Sequence, residues 1–212
     1  YSSAASDGYK GQVGAIVVLG GDGTHRLVAH ACGKIPMACI STGTNNAFPG
    51  NPEATIAGLA AGAVGRGLVT PDVVCHSNKR LCVRVNGQDT IPALVDVCIT
   101  TDTQTGTRAL WRSDRLRKLF LTFAEPGQVG LSSIGSLLSP TTRENNTGLV
   151  INIDPTAKQF KKLMAPIAPG LFEPVAITNY EPISINQKCV LDNSVGTLAY
   201  DGEREVTVFS GD

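Results

Sequence analysis

Several features that would point to other classes of protein are missing from this chain of 212 residues. The formal net charge is zero, with 18 Lys and Arg residues against 18 Asp and Glu residues, so no basic surplus favours nucleic acid or an anionic membrane as a partner. No apolar run is long enough to predict a transmembrane helix, and no signal peptide is visible. With 42% hydrophobic residues, the composition favours a cytoplasmic enzyme of one large or two small domains.

Metal-binding and disulfide patterns are also missing. The six cysteines form no Cys-x-x-Cys pair, and the three histidines have no metal-binding spacing. His25 and His30 are too far apart around a helix to share one ligand face. Most of the cysteines lie in apolar segments, which predicts buried free thiols in a reducing compartment.

The most informative segment is a glycine-rich loop that follows an apolar run. Residues 14–19 have the pattern of a strand buried on both faces, and residues 20–24 read Gly-Gly-Asp-Gly-Thr. We expect Thr24 to cap a helix that begins near His25, and missing β-carbons to leave room for an anion at the helix start. Asp22 could hold a metal ion or accept a proton there. The alternative is an ordinary strand–turn–helix corner, with Asp22 stabilising the turn.

This loop does not match the common nucleotide-binding motifs. A P-loop requires a lysine that is missing here, and a dinucleotide fingerprint requires glycine where Arg26 stands. A second polar loop follows, however, because residues 34–40 look like another strand and residues 41–49 read Ser-Thr-Gly-Thr-Asn-Asn-Ala-Phe-Pro. If the two strands belong to one βαβ unit, both loops open at the same edge of a parallel sheet, where ligands of such folds bind.

Three motifs resemble a known superfamily. Residues 20–24 are similar to the GGDGT motif of NAD kinases, diacylglycerol kinases and sphingosine kinases. Residues 43–48 resemble the Gly-Thr-x-Asn-Asp-x-Ala segment of the lipid kinases, and residues 196–203 resemble the late Asp-Gly-Glu segment of the superfamily. The longer string at residues 41–49 is similar to the acetoin catabolism protein X branch of the ATP-NAD kinase-like family.

The resemblance implies an α/β fold in which a Rossmann-like, three-layer α/β domain precedes a β-rich, β-sandwich-like domain. The change of pattern near Thr70 and Pro71 places these domains at 1–69 and 70–212. The first domain is predicted to contain a helix at 53–64. Members of the superfamily usually start with a strand and an Asn-Pro-x-x-Gly loop. This segment is not found here, so we expect a preceding βα unit outside this numbering. Strands of the second are predicted at 81–85, 91–100, 149–153, 183–185, 198–200 and 206–209, with a hairpin turn at Asn86-Gly87.

One helix is predicted inside the β-rich half. Leu116, Leu119, Phe120 and Phe123 recur at helical spacing, with Ser113 as the cap. The basic side chains on or just before it form either a solvated helix face or a site for a phosphate-bearing substrate; they are Arg108, Arg112, Arg115, Arg117 and Lys118.

The resemblance also implies the site and its cofactors, ATP and Mg²⁺. The catalytic carboxylates would be Asp22, Asp201 and Glu203, although Asp201-Gly202 is equally typical of a plain hairpin turn. The nucleotide would be held by the two loops, at Gly20, Gly21, Gly23, Thr24, Gly43, Thr44, Asn45 and Asn46.

The function expected from these motifs is that of an ATP-dependent small-molecule kinase that phosphorylates a hydroxyl acceptor, with a link to acetoin catabolism. Two departures from the superfamily keep alternatives open. Asn46 stands where lipid kinases carry Asp, and the Asn-Glu pair of NAD kinases has no clear match. The alternatives are a nucleotide-binding regulatory protein without turnover and a lipid kinase of the diacylglycerol type. The expected partners are the nucleotide and a small-molecule acceptor, with no nucleic acid; a homo-oligomer is left open.

Overall fold

The computed structural model describes residues 13–90, 92–101, 112–191, 196–202 and 204–208. The chain divides into two compact units, Tyr1–Ser77 and Asn78–Asp212. The division lies eight residues after the boundary expected from the sequence, and the assignment of domains to 1–69 and 70–212 stays a prediction. In the part of the chain that the structure describes, none of the helices has the length and apolar character needed to span a bilayer.

The described residues of the first unit, from Val13 onward, form two parallel strands and three helices. Their bounds are β1 at Ile16–Gly20, α1 at Asp22–Cys32, β2 at Met37–Ser41, α2 at Ala54–Gly65 and α3 at Pro71–Val74. The register places Gly20 opposite Ser41, so the two glycine-rich loops leave their strands at the same edge. This arrangement was expected from the βαβ pattern, because parallel strands joined by a helix end on the same side.

Helix α1 begins earlier than the sequence indicated. It starts at Asp22 instead of near His25, and Thr24 is therefore inside the first turn and is not the cap. Gly21 occupies the N-cap position and makes no side-chain capping hydrogen bond. Local propensity favoured Thr24 as the cap, but the helix begins at Asp22, whose carboxylate accepts hydrogen bonds from the second loop. In contrast, α2 lies within one residue of its prediction.

The second unit is built around one seven-stranded antiparallel sheet, with the strand order β11-β10-β5-β6-β7-β9-β8. Its strands are β5 at Asp96–Thr100, β6 at Leu116–Leu121, β7 at Thr147–Ile153, β8 at Lys161–Ala168, β9 at Leu171–Ser184, β10 at Gly196–Tyr200 and β11 at Arg204–Val208. A separate ribbon pairs β3 at Arg84–Val85 with β4 at Gln88–Asp89. The β-rich character is thus confirmed, whereas a sandwich of two packed sheets stays a prediction.

The helix predicted from Leu116 to Phe123 is wrong. Residues Leu116–Leu121 form strand β6, which pairs with β5 and β7. The strand is buried on both faces, because Leu119 and Leu121 pack in one hydrophobic cluster and Phe120 packs in the other. In Leu-Arg-Lys-Leu-Phe-Leu the alternation of apolar and polar residues that marks a half-buried strand is missing, and the apolar positions match helical spacing by coincidence. Arg117 and Lys118 therefore lie on a strand, and Arg115 ends a short 3-10 helix at Ser113–Arg115.

Both faces of the seven-stranded sheet carry a hydrophobic cluster. One face packs against the short helix α4 at Ser132–Leu138, whose Ile134 is fully buried. The other face buries Val97, Phe120 and Leu198, and side chains near the β3–β4 ribbon pack against it. The ribbon turns at Asn86-Gly87 with φ angles of 52° and 75°, so the predicted hairpin is confirmed.

The cysteines are less buried than the sequence indicated. Cys32 and Cys98 are buried and Cys39 is half-buried, but Cys75, Cys82 and Cys189 are exposed. The three exposed cysteines lie outside the helices and strands, where apolar neighbours in sequence do not produce burial. Burial raises the pKa of the Cys98 thiol, with a further contribution from the charge of Asp96, and burial also raises the pKa of Cys32.

We expect brief treatment of the native protein with iodoacetamide to label the three exposed cysteines and to spare Cys98, because the thiolate is the reactive form and a buried thiol is neither accessible nor ionised. Mass spectrometry of tryptic peptides measures the labelling at each site. The same reaction in urea serves as the control, since all six thiols should then react. Rapid native labelling of Cys98 would contradict the packing of β5.

Candidate functional site

The two glycine-rich loops of the first unit are joined by the Asp22 carboxylate. One carboxylate oxygen accepts a hydrogen bond from the backbone N–H of Ala47, and the other accepts one from Phe48, each at 2.9 Å. Asp22 is the first residue of α1, whereas Ala47 and Phe48 belong to the loop after β2. Residues more than twenty positions apart are thus held together at the edge where both strands end.

The electrostatics of this arrangement favour a negative charge on Asp22. A carboxylate at the first position of a helix is stabilised by the positive end of the helix dipole. Two charge-assisted hydrogen bonds from backbone N–H groups add to this stabilisation. The geometry therefore suits Asp22 to holding the loops and presenting a charge.

Other side chains of the loops lie against the backbone at three of the glycines. A β-carbon built on Gly20 would lie 2.7 Å from the Thr24 side chain. A β-carbon on Gly21 would lie 2.8 Å from Oδ1 of Asn46, and one on Gly43 would lie 2.7 Å from Nδ2 of the same side chain. The Thr24 and Asn46 side chains lie beside these glycines, where we expected room for an anion. Binding of an anion there stays a prediction.

A short chain of hydrogen bonds fixes the Asn46 side chain. Its Nδ2 donates to Oγ of Ser41 at 2.8 Å, and that hydroxyl donates to the carbonyl oxygen of Gly43 at 3.2 Å. Thr44 and Asn45, which the sequence also predicted as nucleotide-binding residues, are exposed at the tip of the loop. Asn46 is therefore hydrogen-bonded to the end of β2 and lies beside both Gly21 and Gly43.

Sequence reasoning missed the position of His25, which it considered only as a metal ligand. The His25 side chain is fully buried, one turn into α1, and its Nδ1 donates to the carbonyl oxygen of Gly21 at 2.7 Å. Its ring lies 6.1 Å from the ring of Phe48, so it packs behind the loop that Asp22 holds. Nε2 has no hydrogen-bond partner among the described residues. Nothing in the local sequence distinguishes this histidine from an exposed one.

Asp201 has a comparable arrangement inside the second unit. Its side chain is buried, and Oδ1 accepts hydrogen bonds from the backbone N–H groups of Leu94, Val95 and Asp96 at 3.0, 2.8 and 3.2 Å. Its own N–H donates to the carbonyl oxygen of Asp96 at 3.0 Å, and its φ angle is 49°. These contacts favour the turn-stabilising role that the sequence left open. A catalytic role for Asp201 stays a prediction, and Glu203 lies outside the described residues.

Other candidate ligands do not converge in the described residues. No group of three or more His, Cys, Asp and Glu side chains among them could hold a metal ion. In the basic segment, Arg112 forms a salt bridge of 2.8 Å with Asp114. Both line a pocket of about 500 Å³ that also contains Lys162 and Glu173, so the charges there balance. Arg108 lies outside the described residues.

Comparison with known proteins defines first the class and then the family. Residues 2–66 match the ATP-NAD kinase N-terminal domain, so the unit that carries the two glycine-rich loops is NAD kinase-like. Residues 79–212 match the acetoin catabolism protein X C-terminal domain. The chain belongs to the acetoin catabolism protein X family, which confirms the resemblance drawn from the loop motifs.

A curated relative supports this assignment. Acetoin catabolism protein X from Cupriavidus necator is 42% identical over 198 residues, which cover 92% of this chain and 55% of the relative. The chain thus spans about half the length of the curated relative that it matches.

Proposed function

We propose that this protein is an ATP-dependent small-molecule kinase of the NAD kinase-like superfamily that transfers a phosphoryl group from ATP to a hydroxyl acceptor. The observation that carries the proposal is the bridge from Asp22 to the backbone of Ala47 and Phe48. It joins the two loops that resemble the superfamily's nucleotide motifs, in the unit that matches an ATP-NAD kinase domain. A Rossmann-like first domain, a cytoplasmic location and a role in acetoin catabolism belong to the same proposal.

Phosphoryl transfer depends on positioning and on neutralising charge more than on covalent chemistry. The first turn of α1, at residues 22–24, presents the backbone N–H groups of a helix N-terminus, which suit phosphate oxygens. The exposed residues Thr44 and Asn45 would form the second wall of the site. Gly23 and Thr24, which follow Asp22 in the first turn of α1, would form the first wall.

Magnesium fits this site as an ion that arrives with the nucleotide. Mg²⁺ typically takes one or two carboxylates and keeps waters and phosphate oxygens as its other ligands. Asp22 would offer one carboxylate, at the edge where both glycine-rich loops leave their strands. When bound, the ion would neutralise phosphate charge. Asp201 and Glu203 remain the proposed second source of carboxylate.

Specific observations favour two alternative functions. Asn46 in place of a carboxylate, and the missing Asn-Glu pair, favour a regulatory protein that binds nucleotide without turnover. The resemblance of residues 43–48 to lipid kinases favours a diacylglycerol-type acceptor, although Asn46 argues against it. The proposed partners are the nucleotide and one small-molecule acceptor.

We expect ATP with Mg²⁺ to slow amide hydrogen exchange at least several-fold in peptides that cover residues 20–25 and 41–48. Bound phosphates would accept hydrogen bonds from these backbone groups and would order both loops. Adenosine at the same concentration is the matched control, since it lacks the phosphates and should leave exchange there unchanged. Protection confined to other peptides would place the nucleotide elsewhere and refute the proposed site.

Turnover decides between the kinase and its alternatives. ADP release should be measured with NAD, diacylglycerol and a set of small polyols and hydroxyketones as acceptors. Turnover with a small hydroxyl compound supports the proposal, and turnover with diacylglycerol alone supports the lipid kinase. Protection of the loops by ATP without turnover on any acceptor favours the regulatory protein.

A further inference from the structure

We propose that the Asn46 side chain is a placeholder for a phosphate group, so that it sets the affinity of the two loops for their ligand. This inference rests on the proposed function, because it concerns the same loops.

The geometry identifies Asn46 as the side chain that occupies the space between the loops. Its Oδ1 lies 2.8 Å from where a β-carbon of Gly21 would be, and its Nδ2 lies 2.7 Å from where a β-carbon of Gly43 would be. One amide group thus covers the bare backbone of both loops. Any phosphate that approached these two glycines as closely would overlap with it.

The chemistry of the amide reinforces the steric conflict. Oδ1 is an acceptor without a proton, and it lies beside Gly21, the N-cap residue of α1. A phosphate oxygen would occupy a similar place at a helix N-terminus. Oδ1 of Asn46 and a phosphate oxygen are both acceptors and would repel each other at this place. Binding of a phosphate group therefore requires the Asn46 side chain to turn away. That movement breaks the hydrogen bond from Nδ2 to the Ser41 hydroxyl.

Asn46→Ala removes this competition. We expect the variant to bind ATP and inorganic tripolyphosphate about fivefold more tightly than the parent, which is the equivalent of one net hydrogen bond of about 1 kcal/mol. A gain in affinity is informative because general damage to the loops would weaken binding. Asn46→Ser, which shortens the side chain but keeps it polar, should also bind more tightly.

The experiment is isothermal titration calorimetry of the full chain with each of the two ligands. Asn51→Ala is the matched control, since Asn51 is exposed and lies outside both loops, and it should bind as the parent does. Thermal unfolding monitored by circular dichroism shows that each variant is folded. If Asn46→Ala does not fold, the Asn46→Ser variant decides the comparison.

The outcomes separate this inference from the proposed function. Tighter binding by the Asn46 variants, with or without measurable binding by the parent, supports the placeholder. Equal or weaker binding by the variants, when the parent binds, overturns the placeholder and leaves the proposed function standing. If neither parent nor variants bind either ligand, both the inference and the proposed nucleotide site are wrong.

Discussion

Asp22→Asn is expected to lower phosphoryl transfer by about 10²-fold or more while the chain stays folded. The substitution keeps the size of the side chain and one acceptor oxygen, so one of the two hydrogen bonds to Ala47 and Phe48 survives. It removes the charge that would meet the metal ion or the transferred group. Steady-state ADP release with the acceptor found in the screen measures the effect.

Substitutions of Asp22 also have a predictable effect on the stability of the protein. Asp22→Asn turns one oxygen into an N–H donor that faces a backbone N–H, so we expect a loss of about 1–2 kcal/mol in the free energy of unfolding. Asp22→Ala removes both acceptors and should cost about 2–4 kcal/mol, because two backbone donors lose a charged partner. Urea unfolding followed by circular dichroism provides both values.

Asp72→Asn is the matched control, since Asp72 is exposed in the first turn of α3 in the same unit. It should change neither turnover nor the unfolding midpoint by a measurable amount. Full turnover in Asp22→Asn would remove Asp22 from the catalytic mechanism and leave it as a link between loops. The same conclusion would follow if Asp22→Asn lost turnover only in proportion to its loss of folded protein.

The sequence was informative where short motifs coincide with backbone requirements. The glycine-rich loops could be placed at one sheet edge because a parallel β-α-β connection leaves no other choice. The turn at Asn86-Gly87 could be predicted because few other dipeptides accept two positive φ angles. The family could be recognised because its motifs lie in loops, where functional residues concentrate.

The sequence was uninformative where contacts between distant parts of the chain determine the local structure. The start of α1 depends on Asp22 reaching backbone groups on another loop, which no local pattern encodes. Strand β6 resembles a helix because burial of both faces removes the alternation that marks a strand. The position of the Asn46 side chain could not be predicted either. A glycine in the sequence indicates that another group lies close to its backbone, but it does not identify that group as Asn46.

Asp201→Ala is expected to destabilise the second unit by about 3–4 kcal/mol, a large fraction of the stability of a typical domain. The buried carboxylate accepts hydrogen bonds from three consecutive N–H groups at the entry to β5, and alanine would leave these donors buried without their partner. Urea unfolding gives the overall change. Amide exchange of peptides that cover residues 93–100 shows whether the loss is centred there.

Asp89→Ala is the comparison variant for Asp201→Ala, because Asp89 is exposed and pairs with Arg84 on the surface of the β3–β4 ribbon. An exposed pair of this kind contributes little to stability, so this variant should unfold close to the parent's midpoint. If Asp201→Ala also unfolds at the parent's midpoint but loses turnover, Asp201 serves catalysis and its turn-stabilising role is minor. If it loses stability and its remaining folded fraction turns over normally, Asp201 is an anchor for β5, and the second catalytic carboxylate must be sought at Glu203 or elsewhere.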